Sequence, residues 1–295
     1  LMHVDKNNSK ASLMNETQAH GWIGKTETLS DTLNPVPCKA LAATLNQAWD
    51  PKEGDRLPTL WHWLYFLETA QQEELAADGH RKRGGFLPSV QLPRRMWAGS
   101  QIQFHSPITL GETLTRQSTI ENIRETTGRS GALTFVKVRH EIGSEQRPAI
   151  TEIQDIVYRE AAKPGVAPPA PAAAESSGDY FLKFIADSRL LFRYSALTFN
   201  AHRIHYDYQY ATQTEGYPGI IVHGPLLATL MLELLHSNFP KETIKTFEFR
   251  ALGPIFGDHR FSVHGTRTDP DGNVTLWIAN HDSQLCMQGT ANIER

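Results

Sequence analysis

The chain contains 295 residues, which is enough for about two domains of ordinary size. Hydrophobic residues make up 40% of it and charged residues 21%, a balance typical of globular proteins rather than of disordered chains. The formal net charge is −3, so the chain lacks the basic excess that nucleic-acid-binding proteins usually carry. No run of residues approaches the ~18–20 apolar positions of a membrane helix. Nucleic acid and membrane are therefore not expected as partners.

Residues 1–13 are polar and irregular, and we interpret them as a disordered leader or tag. They show no basic stretch followed by an apolar core, which is the pattern of a secretory signal. The two cysteines, Cys38 and Cys286, match neither a disulfide framework nor a metal-binding motif. These observations favour a reducing compartment, and we predict a cytoplasmic protein.

A shift in composition at residues 161–178 divides the chain into two parts. This stretch is rich in proline and alanine and has almost no large apolar side chain, so it favours an extended spacer. We interpret it as a linker between an N-terminal domain, residues 14–160, and a C-terminal domain, residues 179–295.

Both parts show a helix pattern followed by alternating strands. The first helix is predicted at Leu60–Ala77, and the second begins at Pro225, which suits a first helical turn. Strands are predicted at Thr113–Ile123, Leu133–Ile142, Ala149–Tyr158, Arg260–Thr268, Val274–His281 and Gln284–Ile293. A Pro-Ile pair follows the helix in each part, at Pro107 and at Pro254, which indicates an internal repeat. We predict the α+β class, with a mostly antiparallel sheet wrapped around a helix and the unit duplicated.

The densest group of polar and aromatic residues lies at Arg193–Ala211. His202 and His205 carry imidazoles, whose ordinary pKa lies nearest neutrality, so either can exchange a proton with water at pH 7. Gly224 begins the second helix, where free N–H groups and the helix dipole favour a developing negative charge. A histidine base beside such an oxyanion site is what α-proton chemistry on a thioester requires.

Six residues of this stretch fall on the positions of a known motif with the correct spacing: Tyr194, Leu197, Thr198, Ile204, His205 and Ala211. At these residues the sequence resembles the MaoC-like hydratase/dehydratase family. The likeness continues at His223 and Gly224 and covers nearly the whole chain after residue 14. It implies the hotdog fold in both parts, hence a double hotdog.

Four positions depart from the family motif, which has Gly, Asp, Asn and Pro where this chain has Phe199, Asn200, His202 and Arg203. Asparagine is not a general base, so the family's aspartate–histidine pair is not reproduced here. The string around these residues is similar to a subgroup of two-domain hydratases. Members of that subgroup act on branched dicarboxylic acyl-CoA esters such as mesaconyl-C4-CoA and itaconyl-CoA.

The resemblance implies reversible hydration of an α,β-unsaturated acyl-CoA and assigns three catalytic residues. His205 activates water, Asn200 positions it, and the Gly224 N–H stabilises the enolate oxygen. The resemblance and the residue chemistry together also assign a substrate-binding set: His202, Arg203, Arg193, Tyr194, His223 and Tyr217. Arg203 and Arg193 are candidates for holding a distal carboxylate, whereas Arg203 has an alternative partner in Asp207.

The C-terminal part is expected to supply the catalytic residues, and the N-terminal part to shape the acyl pocket. No metal or other cofactor is expected, because the thioester itself acidifies the α-carbon, and the three histidines match no zinc motif. The basic run His80–Arg83 is either a solvated loop or a contact for coenzyme A phosphates. Both parts lie in one chain, so a monomer or a homodimer is expected.

Three other functions remain open. The first is a 3-hydroxyacyl-thioester dehydratase of fatty-acid metabolism. A long apolar tunnel for the acyl chain, without a buried arginine, would favour it over a dicarboxylic substrate. A non-catalytic acyl-CoA-binding protein would bind the ligand tightly without turnover. A thioesterase is the fourth interpretation, and it would release free thiol.

Overall fold

One antiparallel sheet contains all ten strands of the described residues. The structure is a computed structural model and describes residues 21–128, 131–161, 171–175 and 177–294. The N-terminal half contains β1 (Thr26–Thr32), α1 (Pro35–Thr44), β2 (Arg94–Phe104), β3 (Thr113–Gly128), β4 (Gly131–Ser144) and β5 (Arg147–Arg159). The C-terminal half contains β6 (Tyr180–Ile185), α2 (Ser188–Leu197), α3 (Gly224–Asn238), β7 (Thr243–Ala251), β8 (Arg260–Gly265), β9 (Asn273–Asn280) and β10 (Leu285–Glu294).

The strand order shows that the two halves repeat one plan. It runs β1-β3-β4-β5-β2-β7-β10-β9-β8-β6, so the second half mirrors the first. The halves meet where β2 pairs with β7, with Ile102 opposite Phe247 and both side chains buried. The predicted internal repeat and the double-hotdog class are therefore confirmed. The six predicted strands are present, although β8 ends at Gly265 rather than at Thr268.

Helix α3 forms the core of the C-terminal half. Its apolar residues surround the whole helix, a pattern typical of a helix that is buried on every side. Nine of its fifteen residues are buried, and it packs on β6, β8 and β9. Pro225 lies in its first turn, as predicted, where a missing N–H leaves no acceptor unpaired. Burial of the helix therefore holds its N-terminus inside the molecule.

The prediction of a helix at Leu60–Ala77 is wrong. This segment contains only two short 3₁₀ turns, Trp61–Leu64 and Gln72–Glu74. Leu60 and Phe66 have φ of 71° and 55°, a left-handed conformation that a right-handed helix of L-residues does not accommodate. The apolar spacing instead reflects irregular backbone whose large side chains fill the core. The helix of the N-terminal half is α1, which Asn34 caps by accepting from the Val36 N–H at 3.1 Å.

Among the described residues, the N-terminal half has only the ten-residue α1 and short 3₁₀ turns, whereas the C-terminal half has the fifteen-residue α3. The N-terminal half also contains a buried polar cluster around Glu152. Its carboxylate accepts from His62 Nε2 at 3.1 Å, Trp63 Nε1 at 3.0 Å and Ser100 Oγ at 3.0 Å. Burial alone raises the pKa of this carboxyl, but the hydrogen bonds and nearby charge lower it to about 2.

Part of the predicted linker pairs with the C-terminal half. The Ala172 carbonyl accepts from the Leu285 N–H at 2.8 Å, and the Ala174 N–H donates to Ser283 at 2.9 Å. Residues 162–170 and 176 of the predicted linker, and the predicted leader 1–13, lie outside the described residues. Across the described part of the chain, no helix has the length and apolar character needed to cross a membrane. Cys38 and Cys286 are both buried and unbonded to each other.

Candidate active site

The motif predicted to carry the chemistry occupies the connection between α2 and α3. Helix α2 ends at Leu197, and Phe199 then turns the chain in a left-handed conformation with φ of 49°. This conformation suits glycine, which the family motif has at this position. In Phe199 the Cβ makes the left-handed backbone conformation less favourable than it is for glycine. Asn200 closes the turn, because its Oδ1 accepts from the His202 N–H at 2.9 Å. That amide oxygen is therefore engaged with backbone.

His205 lies in a buried 3₁₀ turn, Arg203–His205, and its tautomer follows from one contact. Its Nδ1 lies 2.7 Å from the Ile221 carbonyl oxygen, which only accepts, so Nδ1 carries the proton. Nε2 then keeps its lone pair and is free to act as a base. Burial lowers the pKa of His205 to about 4, so the ring is neutral at pH 7.

The N-terminus of α3 faces this ring through His223. The His205 and His223 rings stack with centroids 3.7 Å apart, and His223 Nε2 is hydrogen-bonded to Ser195 Oγ at 2.8 Å. Gly224 follows directly, and a Cβ placed on it would meet nothing within 4 Å. The first-turn N–H groups of a helix have no intrahelical acceptor, so the open space at Gly224 is suited to a ligand oxygen.

Two further imidazoles extend the cluster toward the N-terminal half. The His202 ring lies 5.4 Å from the His205 ring, edge to face, and 3.9 Å from the ring of His80. His80 Nδ1 donates to Asp78 Oδ2 at 3.0 Å. Burial lowers the pKa of His202 to about 2, so this ring is neutral too. The site therefore receives side chains from both halves of the chain.

The sequence does not indicate Asp78 as a site residue, and it indicates His80 only within the basic run His80–Arg83, as a solvated loop or a phosphate contact. The structure places His80 beside the motif instead, and Arg83 bonds backbone carbonyls, including that of Pro93 at 2.7 Å. No local pattern signals this contact, because Asp78 and His202 lie far apart in the sequence. The sequence shows only a histidine two residues after an aspartate, and this spacing is not specific to any kind of site.

Close backbone contacts hold the loop of Asp78 and His80 against the motif. The Arg203 N–H donates to the Asp78 carbonyl at 2.9 Å, and Arg203 Nη1 donates to the Ala77 carbonyl at 3.0 Å. Gly79 has φ of +91°, and a Cβ there would lie 1.8 Å from the Ala201 carbonyl oxygen. Only glycine permits this approach.

The arginines considered for carboxylate binding lie in different surroundings. Arg203 pairs with Asp207 at 2.7 Å, the alternative partner considered from the sequence, and it lies over the Tyr210 ring at 4.2 Å. Arg193 is exposed on α2. Arg95, which the sequence analysis did not consider, lies directly opposite Tyr158 in the β2–β5 ladder. Among the described residues it forms no ion pair with a carboxylate.

The two tyrosines assigned to substrate binding occupy different parts of the region. Tyr194 is buried beside His223, with ring centroids 5.0 Å apart, and burial raises the pKa of its hydroxyl. Tyr217 lies under Arg94, which also pairs with Glu215 at 2.9 Å. Tyr194 therefore packs against the imidazole cluster, while Tyr217 joins the C-terminal half to β2.

The histidines and the aspartate of this region are side chains of a kind that can bind a metal ion. The stacked rings of His205 and His223 direct their lone pairs along parallel planes, so these lone pairs do not converge on one ion. Within the described ranges, one group has ligand atoms close enough to be considered: Asp78, His80 and His202, all within 4.8 Å of one another. In that group the Asp78–His80 hydrogen bond engages Asp78 Oδ2 and His80 Nδ1.

The mirrored sheet and the buried central helix define a double-hotdog protein, and an imidazole cluster lies at the N-terminus of that helix. A family model described as hydroxyacyl-thioester dehydratase type 2 matches residues 60–257. Mesaconyl-C(4)-CoA hydratase of Chloroflexus aurantiacus is 46% identical over 270 residues, which is 86% of this chain and 94% of that protein. The chain belongs to the hydroxyacyl-thioester dehydratase type 2 family.

Solved structures agree on the fold. A MaoC-like dehydratase from Phytophthora capsici has a TM-score of 0.67 at 15% identity, covering 92% of this chain and 96% of that one. A conserved hypothetical protein from Mycobacterium tuberculosis with a double hotdog fold has a TM-score of 0.55 at 14% identity, with the same coverage of 92% and 96%. The resemblance to MaoC-like double-hotdog proteins is therefore confirmed.

Proposed function

We propose that the protein is an acyl-CoA hydratase, a hydro-lyase that adds water across the α,β-double bond of a CoA thioester. The observation that carries the proposal is the buried, neutral His205, with Nε2 free, beside the open N-terminus of α3 at Gly224. The 46% identity to a curated hydratase over most of both chains supports the same reaction.

The reaction balances with residues of this chain and one water molecule. His205 Nε2 takes a proton from water while the oxygen bonds to the β-carbon, and the electron pair moves to the thioester oxygen. The Gly224 N–H and the dipole of α3 stabilise that enolate oxygen. The imidazolium then returns its proton to the α-carbon, which restores His205. Because the thioester stabilises the enolate, the scheme uses no metal or redox cofactor.

For the acyl group we propose a C5 dicarboxylic ester such as mesaconyl-C4-CoA or itaconyl-CoA. Such a substrate ends in a carboxylate that needs a cation near the imidazoles. Arg203 and Arg193 are the candidates from the sequence, but Arg203 is paired with Asp207 and Arg193 is exposed. We propose Arg95 instead, which forms no ion pair with a carboxylate among the described residues. Burial is the largest cause of the lowered pKa of His80 and of His202; the charge of Arg95 is the next cause for His80 and the smallest for His202. One chain supplies both halves of the site, so a monomer suffices.

A second candidate is 3-hydroxyacyl-thioester dehydration in fatty-acid metabolism, which the description of the matching family favours. The chemistry is the same reaction in reverse, so the same residues serve it. The two candidates differ in the acyl group, because a straight-chain substrate has no distal carboxylate for Arg95 to bind.

The test measures absorbance near the enoyl-thioester band with four esters: mesaconyl-C4-CoA, itaconyl-CoA, crotonyl-CoA and a long-chain enoyl-CoA. Loss of signal with the dicarboxylic esters alone is the expected result. Preferred turnover of the straight-chain esters would favour the dehydratase. Binding without turnover across the panel would contradict both and leave a non-catalytic acyl-CoA-binding protein.

A further inference from the structure

We propose that His80, fixed by Asp78, is a catalytic residue supplied by the N-terminal half, and that its Nε2 holds the attacking water together with His205. The inference rests on the proposed hydratase function and adds a residue to it. It also replaces the role that the sequence analysis gave to Asn200.

Asp78 determines which nitrogen of His80 accepts a hydrogen bond. One carboxylate oxygen accepts the His80 backbone N–H at 3.0 Å, and the other accepts from Nδ1 at 3.0 Å. A carboxylate only accepts, so Nδ1 carries the proton and Nε2 keeps its lone pair. Burial opposes ionisation of Asp78, but the hydrogen bonds and charge of His80 hold the pKa of this carboxyl well below its ordinary value. Asp78 is therefore a positioning residue that is ionised at pH 7.

The charged and titratable groups around His80 leave its ring neutral. Burial lowers its pKa first, and Arg95 and Arg83 lower it further, whereas Asp78 raises it. His202, from the facing motif, packs against the ring and is itself neutral. A neutral ring with a free Nε2 accepts a hydrogen bond from water.

Two imidazole acceptors then act on one water molecule. His205 and His80 both contact the His202 ring, and each has Nε2 as its acceptor. A water that donates one hydrogen to each directs its oxygen lone pairs at the β-carbon. His205 takes one proton, and the hydrogen held by His80 stays on the new hydroxyl group, so no further proton is required.

Other candidates for this role are engaged elsewhere. Asn200 Oδ1 accepts from the His202 backbone. His223 Nε2 is hydrogen-bonded to Ser195. Within the described part of the chain, His80 is the one ring of this cluster that contacts a carboxylate.

The experiment compares four variants with the wild-type enzyme on its best ester of the panel. Asp78→Asn offers an amide N–H to Nδ1, which reverses the tautomer and turns Nε2 into a donor; kcat is expected to fall between ~10- and ~10⁴-fold. KM for the ester stays unchanged, because His80 contacts water rather than the acyl chain. His80→Gln keeps an acceptor near Nε2 and is expected to retain more activity than His80→Leu. His105→Gln, at an exposed position, is the matched control and retains wild-type kcat.

Each outcome supports or contradicts the inference. Thermal melting and binding of coenzyme A establish that each variant is folded. If the wild type is active and Asp78→Asn has the same kcat, the proposed role of Asp78 and His80 is overturned. The proposed hydratase function would not be affected by that result. Equal loss in His80→Gln and His80→Leu would also overturn it, since the acceptor would then be irrelevant. Activity lost on chelation and restored by Zn²⁺ would make these residues metal ligands instead. An inactive wild type contradicts the proposed function itself.

Discussion

Substitution of Gly79 by alanine tests whether the N-terminal loop must touch the motif. The new Cβ would lie 1.8 Å from the Ala201 carbonyl oxygen and 2.7 Å from its carbon, against the ~3.5–4.0 Å at which nonbonded atoms pack. The obstructing atoms are backbone, so no side-chain rotation relieves the contact. The loop and the motif must therefore separate by more than ~1 Å. A misplacement of that size costs catalysis about 10²-fold, which is the expected loss in kcat/KM.

Gly54→Ala is a matched control for this substitution. Gly54 has φ of +92°, close to the +91° of Gly79, but a Cβ there would meet nothing within 4 Å. Both variants carry the same backbone strain of ~1–2 kcal/mol, so both lower the melting temperature by a few degrees. Only Gly79→Ala adds the steric contact, so only it should lose activity in the absorbance assay. Equal activity of the two variants would refute the reasoning.

Three further predictions concern single side chains. His205→Ala should lower kcat by ~10²–10⁴-fold without unfolding the protein, as measured by the absorbance assay and by circular dichroism. Arg95→Met should lower kcat/KM for mesaconyl-C4-CoA by ~10–10²-fold and spare crotonyl-CoA, because a charged hydrogen bond to the distal carboxylate is lost. Glu152 has its pKa lowered from 4.5 to about 2 in the folded state, so its stabilisation is present above pH 4.5 and disappears as the pH falls toward 2. The glutamine of Glu152→Gln does not titrate. The unfolding free energy of this variant should therefore fall less between pH 4.5 and pH 2 than that of the wild type.

The outcomes that contradict these predictions differ. Turnover near the wild-type rate in His205→Ala would exclude it as the base. An equal fall for both esters in Arg95→Met would indicate a general effect on the site rather than carboxylate recognition. For Glu152, denaturant unfolding at several pH values decides, and parallel pH curves for the variant and the wild type would show that other groups carry the acid sensitivity.

Local pattern was sufficient for six of the ten strands of the described residues and for the central helix. Strand alternation places side chains on one face of a sheet, so the runs around Val136 and Ile278 were recognisable without a partner. Helix α3 was recognisable because its apolar residues repeat at helical spacing after Pro225. The order of His205 and Gly224 along the chain can be read from the sequence, and a catalytic site at their junction stays a prediction.

Local pattern failed at Leu60–Ala77, where apolar spacing resembled a helix but served an irregular segment that fills the core. Helical spacing reports burial, and burial does not require a helix. Helix α1 was not predicted from the sequence, because it is short and contains prolines, so its apolar residues show no clear helical spacing.

The sequence by itself determined the fold class, the repeat and the residues of the motif, because strand alternation, helical spacing and recurring residue pairs can be read from residue order without knowledge of any tertiary contact. Only the tertiary structure decided that Asp78 and His80 contact that motif, through the backbone of Arg203 and the ring of His202. These contacts exist because β2 and β7 join two halves into one sheet, which brings together residues that are far apart in the chain. Contacts of this kind depend on packing across the molecule, and no local pattern encodes them.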